Sequence, residues 1–177
     1  MGLFWRKGYE STSLQDLLAI MGISRSSFYQ TFGSKQHLFT QCMVHYQEML
    51  SAQLRQALES AQSGRNFIAD FLHSVLEEAC APDGSRGCLI LNTANEFAQR
   101  DPAIAQAVTL GIERVQAVLL AAVIRAQREG EIDPKRDPAI LASYLISSMS
   151  GLKIMAKAGS GADVLQGIID VALKALD

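Results

Sequence analysis

TSLQDLLAIMGISRSSFYQTFGSKQHL, residues 12–38, reads as two short helices around a tight turn with a third helix starting behind them. In Ser13–Met21, Leu14, Leu17, Leu18 and Met21 recur at spacings of three and four, which places them on one helix face. Thr12 and Ser13 stand where an N-cap belongs, with Asp16 three residues after Ser13. Gly22 follows the last apolar residue, and a glycine there stops a helix because the left-handed conformation costs it nothing. Ile23 turns back to the core and Ser24 caps a second helix, Arg25–Thr31. Within and just after that helix only Phe28 and Phe32 look buried, which leaves Arg25, Ser26, Ser27, Tyr29 and Gln30 facing outward. Gly33-Ser34 ends it, and Lys35 opens the next helix.

A short helix with one narrow apolar edge and an outward set of Arg, Ser, Tyr and Gln suits a DNA major groove. Arg and Gln bond base edges; Ser and Tyr hydroxyls and helix N-terminal N–H groups bond phosphate. The expected contacts are Arg25, Ser26, Ser27 and Gln30 at base edges or nearby phosphates, and Thr12, Ser13, Tyr29 and Lys35 on phosphates, with Ser24 as cap and contact together. Helix–glycine–helix also occurs as an ordinary surface hairpin, so the pattern alone leaves both readings open.

Phe4, Gly8-Tyr9, Thr12-Ser13, Met21-Gly22-Ile23-Ser24, Phe28-Tyr29, Phe32-Gly33-Ser34-Lys35 and Leu38 together resemble the N-terminal signature of TetR/AcrR-type transcriptional regulators. The match is dense over residues 4–39; beyond them it is one of length and helical layout. The resemblance implies three helices for a DNA-binding head and about six for a ligand-binding, dimerising body. It also implies phosphate contacts at Tyr29 and Lys35, and pairing of the last two helices between protomers. Ser26 stands where the family often has Gly, which changes a residue expected to face DNA. The family's first helix has about four turns, and Met1–Lys7 corresponds only to its end. A head core of Phe4, Leu17, Phe28 and Phe32, open on one side, is the expectation.

Composition agrees with an all-α chain. Of 177 residues 49% are hydrophobic and four are proline, so a sizeable core is available to helices. The net charge of −2 is unevenly spread. Residues 1–40 hold four basic and two acidic side chains, +2, while the remainder holds twelve and sixteen, −4. A mildly basic head on an acidic body fits a DNA-reading module whose body stays off DNA. Cys42, Cys80 and Cys88 are odd in number and form no Cys-x-x-Cys, which argues against a disulfide framework and a zinc finger. The most apolar run, Val115–Ile124, is shorter than a membrane span and flanked by Arg114 and Arg125. With nothing resembling a signal peptide, the cytoplasm is the expected compartment.

The rest of the chain divides into helices at Gln36–Ser60, Asn66–Cys80, Cys88–Ala98, 102–129, Ala139–Ala158 and Ala162–Leu176. A loop is expected at 81–87, and Asp-Pro start signals stand at 101, 133 and 137. The expected division is a helix-turn-helix DNA-binding domain at 1–40, its first helix truncated, and a C-terminal ligand-binding and dimerisation domain at 41–177. The long helix Gln36–Ser60 joins the two and is the natural lever for a signal.

No catalytic constellation stands out. His37, His45 and His73 are scattered, Gly159-Ser160-Gly161 lacks the Lys-Ser/Thr of a phosphate loop, and Glu77-Glu78 and Glu96 with Asp101 read as solvated faces and caps. Neither a metal nor a cofactor is expected. Ala139–Ala158 mixes small and large residues on two apolar faces; Ala142, Ser143, Ile146, Ser147, Gly151, Leu152 and Met155 are the candidates for a four-helix homodimer interface. Met43, Tyr46, Phe71, Val75, Cys88, Leu91, Asn92, Asn95, Glu96 and Met149 are the candidates for an effector pocket. The family layout places the Asn92–Glu96 helix beside the inducer cavity, where a few polar groups would orient an apolar ligand. Cys88 opens that helix, a position that favours thiolate, and some regulators of this family sense electrophiles or oxidants through such a cysteine. The expected function is a homodimeric repressor, released from a palindromic double-stranded operator by a small apolar effector of unknown identity, with no membrane partner. The alternative is a helical binding protein or enzyme that kept the layout and lost DNA binding.

Overall fold

The computed structural model describes residues 1–80, 87–97 and 101–177. Among them every regular element is an α-helix: α1 Gly2–Lys7, α2 Leu14–Met21, α3 Arg25–Phe32, α4 Lys35–Ser60, α5 Gly64–Cys80, α6 Leu89–Phe97, α7 Pro102–Arg128, α8 Pro138–Lys157 and α9 Ala162–Lys174. Except for Gly87, the loop expected at 81–87 lies outside the described residues. The chain forms two compact units that do not follow a single cut. Met1–Met49 groups with Cys88–Gly111, and Leu50–Gly87 groups with Ile112–Asp177, so α6 and the first part of α7 belong with the N-terminal helices.

In the first unit the start signals read from the sequence are all used. Ser13 accepts from the Asp16 amide at 3.0 Å while the Asp16 carboxylate accepts from the Ser13 amide at 3.0 Å, a reciprocal capping box on α2. Gly22 ends α2 at φ 64°, ψ 30°, the left-handed stop. Ser24 caps α3 by accepting from the Ser27 amide at 3.1 Å. Phe4, Leu17, Phe28, Leu38 and Phe39 are all buried, with Phe4 edge-on to Phe39 at 5.0 Å and Tyr9 against both. The expectation of a core open on one side is therefore corrected: α1, though six residues long, buries Phe4 completely, and Phe32 alone of the four is partly exposed.

In the second unit α5, α8 and α9 pack on one another around Phe67, Ile68, Leu72, Leu145, Leu152, Leu165 and Ile169, joined by Leu119, Ala122 and Val123 of α7. The amino terminus of α5 is capped from outside its own helix. The Gly64 amide donates to Glu129 at 2.7 Å and the Arg65 amide to Glu131 at 3.1 Å. A Cβ at Gly64 would stand 2.5 Å from both the Ala122 carbonyl oxygen and the Ala126 nitrogen, so the close approach of α5 to α7 requires glycine. Both α7 and α8 are long and apolar enough, by length and composition, to cross a membrane. That corrects the expectation that no stretch reaches such length; in this unit their apolar residues, Val118 to Ala126 and Leu141 to Leu152, build the core.

Candidate nucleic-acid interface

α3 presents Arg25, Ser26, Ser27, Tyr29 and Gln30 to solvent while Phe28 is buried. Tyr29 is 48% exposed and stands edge-on to Phe28 at 5.6 Å, so the buried ring holds its phenol outward. The Ser24 and Ser27 hydroxyls are 2.9 Å apart at the start of α3, beside the helix's first-turn N–H groups. Ser13 is exposed and carries the α2 cap. This surface offers planar donors, hydroxyls and helix-start amides, and among α3 side chains only a positive charge.

One of the expected phosphate contacts, Thr12, is corrected, and a second, Lys35, already has partners within the fold. Thr12 is fully buried and its hydroxyl donates to the Gly8 carbonyl at 2.6 Å, so it is built into the α1–α2 turn and presents no hydroxyl to a ligand. Lys35 directs its ammonium to the carbonyls of Tyr9 at 2.8 Å and Thr12 at 2.9 Å, and lies over the Tyr9 ring at 4.1 Å. It closes the turn between α1 and α2. The Tyr9 hydroxyl is pushed above its ordinary pKa by burial, then by the charges of Glu10 and Asp101.

The residues expected to line an effector pocket fall in both units. In the first, Met43 and Tyr46 are buried on α4. Tyr46 is edge-on to Trp5 at 5.0 Å, and its hydroxyl donates to the Cys88 sulfur at 3.7 Å. Leu91, Asn92 and Glu96 are partly buried on α6; the side chain of Asn95 lies outside the described residues. Glu96 is turned to the α1–α2 segment, where its carboxylate accepts from the Glu10 amide at 3.3 Å. In the second unit Val75 and Met149 are core residues and Phe71 packs against that core. Val75 also lines a cavity of about 140 Å³ with Glu78, Ala79, Gly87, Lys153, Ala156 and Lys157, where Lys153 pairs with Glu78 at 2.6 Å.

Of the dimer candidates, Ser143, Ser147 and Gly151 are exposed, as is Met155 at 39%, and Ile146 is partly exposed. Ala142 and Leu152 are corrected: both are fully buried on the opposite side of α8, in their own protomer's core. The exposed stripe instead takes in Ile140 and Ile154 on α8, and Val164 and Val171 on α9.

Sequence reading missed Gln47, which is buried and donates to the Ala107 carbonyl at 2.7 Å. The signal was Gly111 inside the apolar run of α7: glycine is poor in a helix interior, and here a Cβ would meet Ile90 and the Gln47 carboxamide at about 3 Å. Gln36 donating to Asp101 at 2.5 Å was also missed, because no local pattern joins residues 65 apart.

Two family models match the chain: bacterial regulatory proteins of the tetR family at residues 1–42, and the tetracyclin repressor-like C-terminal domain at 64–171. The chain is 34% identical to the HTH-type transcriptional regulator YezE of Bacillus subtilis over 99% of its length and 91% of that protein's. To the HTH-type transcriptional repressor ComR of Escherichia coli it is 27% identical, over 98% and 83%. Among solved structures it superposes on CifR, a TetR family regulator complexed with a 26-bp operator, with TM-score 0.85 and 27% identity, covering 98% of this chain and 91% of that one. With both family models matched in order and a relative of this identity along its whole length, the chain belongs to the TetR family of transcriptional regulators.

Proposed function

We propose that this protein is a homodimeric repressor that reads a near-palindromic operator through α3 and is released by a small, mostly apolar effector. The observation that carries the reading is α3 itself: a capped helix of eight residues, buried along one edge and otherwise turned outward with Arg25, Ser26, Tyr29 and Gln30. The repressor names of ComR and the operator complex of CifR support it by kinship.

The dimer is supported by two glycines. Gly151 and Gly167 sit inside α8 and α9, where glycine costs about 1 kcal/mol relative to alanine. Within the protomer a Cβ at either would meet nothing within 4 Å, so the bare backbone serves an approach from another chain. Ile140, Ile154, Val164 and Val171, all more than half exposed, lie on those same helix faces.

The test is selection of bound duplexes from a random library, followed by a salt titration. A repressor of this design enriches an inverted repeat, and its affinity falls with salt with a slope of about −0.9 per phosphate neutralised. Enrichment of no sequence, with binding no tighter than to bulk duplex, overturns the reading.

A further inference from the structure

We propose that Glu96 and Asp101 form a two-point latch that carries the states of α6 and of the start of α7 directly into the α1–α2 turn and the start of α4. The proposal rests on the repressor reading above and names its signal route. Glu96 reaches the turn where the chain leaves α1. One carboxylate oxygen accepts from the Glu10 amide, and the other would stand 3.1 Å from a Cβ on Gly8. Gly8 has φ +78°, a backbone conformation that selects glycine, and the Glu96 carboxylate lies close against it. Asp101 divides its carboxylate. One oxygen accepts from the Ala103 and Ile104 amides at 2.9 and 3.2 Å, capping α7; the other accepts from Gln36 in the first turn of α4. Between these points Lys35 holds the Tyr9 and Thr12 carbonyls, so the two anchored places are already tied to each other.

The latch is therefore closed on both sides: α6 to Glu10, α7 to Gln36, and α4 to the turn through Lys35. A shift of α6 or of the start of α7 must either drag the turn or break one of two charge-assisted hydrogen bonds. α2 begins directly after this turn, so the pose of the helix-turn-helix is coupled to α6 without passing along the length of α4. A ligand that prefers one arrangement of α6 would thereby change affinity at α3, as a coupling between sites requires.

The experiment compares the wild type with Glu96→Ala, Glu96→Gln and Gln36→Ala as full chains. Gln36→Ala removes the second contact and leaves the α7 cap intact; Glu96→Gln keeps an oxygen to accept from the Glu10 amide. Hydrogen exchange over residues 8–13 reads the latch without DNA. Glu96→Ala and Gln36→Ala are each expected to speed exchange there about tenfold, with α8 and α9 unchanged. Affinity for the duplex the wild type selects is expected to change about fivefold or more in both, with dimer mass unchanged. Glu96→Gln restores both readouts. Unchanged exchange at 8–13 in both alanine variants overturns the latch whatever DNA does. Faster exchange with unchanged duplex affinity overturns the signal route and leaves only a structural contact. A wild type that selects no duplex sinks the repressor reading, and with it the route, while the exchange result still decides the contact.

Discussion

At Arg25 and Lys35 the same kind of charge does two kinds of work. Arg25 is exposed at the first position of α3. Its replacement by alanine is expected to leave stability within about 0.5 kcal/mol, as for surface sites without special features. It should cost ~1–3 kcal/mol of operator affinity and relax specificity at one or two base positions, read by binding to a panel of single-base operator variants. Lys35→Ala should do the reverse in order of size. It strips two carbonyls of a charged donor, and such bonds contribute about 1.5–3 kcal/mol each. Urea melts followed by Trp5 fluorescence should show the loss, and the affinity change should accompany it. If Lys35→Ala lowers affinity and salt slope while the melt is unmoved, the lysine is a phosphate contact after all. Gly64 gives a third test. A Cβ there collides with two backbone atoms of α7, so Gly64→Ala should destabilise by about 1–3 kcal/mol although alanine is the better helix former.

Among the elements, α2 shows how far local chemistry was legible. Ser13, Asp16 and Gly22 announced its start and stop because caps are written in adjacent residues. The Asp16 carboxyl is held below the usual carboxylate range by the Ser13 backbone N–H first, then by the Ser13 hydroxyl and by Lys7, whose ammonium is 3.2 Å away. A group whose folded pKa is depressed stabilises the fold above its unfolded value, here 3.8, and that contribution is lost as pH falls through the folded value. Thermal melts of wild type and Asp16→Asn between about pH 5 and pH 2 should therefore converge as acid is added. A constant gap would mean that the carboxylate charge contributes nothing to α2. Glu129 at the start of α5 has the same sign, depressed first by the Gly64 amide and then by Arg125, and was invisible in the sequence because its partner lies 65 residues away. The same limit explains Thr12 and Lys35. Their types fit a phosphate, but burial of the Thr12 hydroxyl and the pull of two carbonyls on Lys35 arise only when α1 and α4 meet. It also explains Ala142 and Leu152: the pattern gave two apolar faces on α8, and only packing decides which face is core. Helix order, by contrast, was legible throughout, since periodicity and Asp-Pro starts are local.

For the whole molecule, the decisive quantity is whether two copies hold their α3 helices on one duplex together. In the proposed repressor each copy alone would neutralise few phosphates with Arg25 as the charge on α3, so specific affinity would come from linking two weak contacts. Half-sites on successive turns lie ~34–36 Å apart, a spacing that only a fixed pair of protomers matches. The α8 stripe Ile140, Ser143, Ser147, Gly151 and Ile154 recurs at three and four, on the side opposite Leu145, Met149 and Leu152. A glutamate at Gly151 tests it with little ambiguity. Gly151 is exposed with open space around it in the protomer, and glutamate is the better helix former, so the protomer should melt no earlier than wild type. In a dimer the same carboxylate would be buried without a partner against a second stripe, a loss of several kcal/mol that the interface cannot offset. Sedimentation should then show a monomer, and binding should fall to that of a single head, with the salt slope roughly halved as half the phosphate contacts are lost. A dimer of unchanged mass with full operator affinity would place the interface on another face of the molecule.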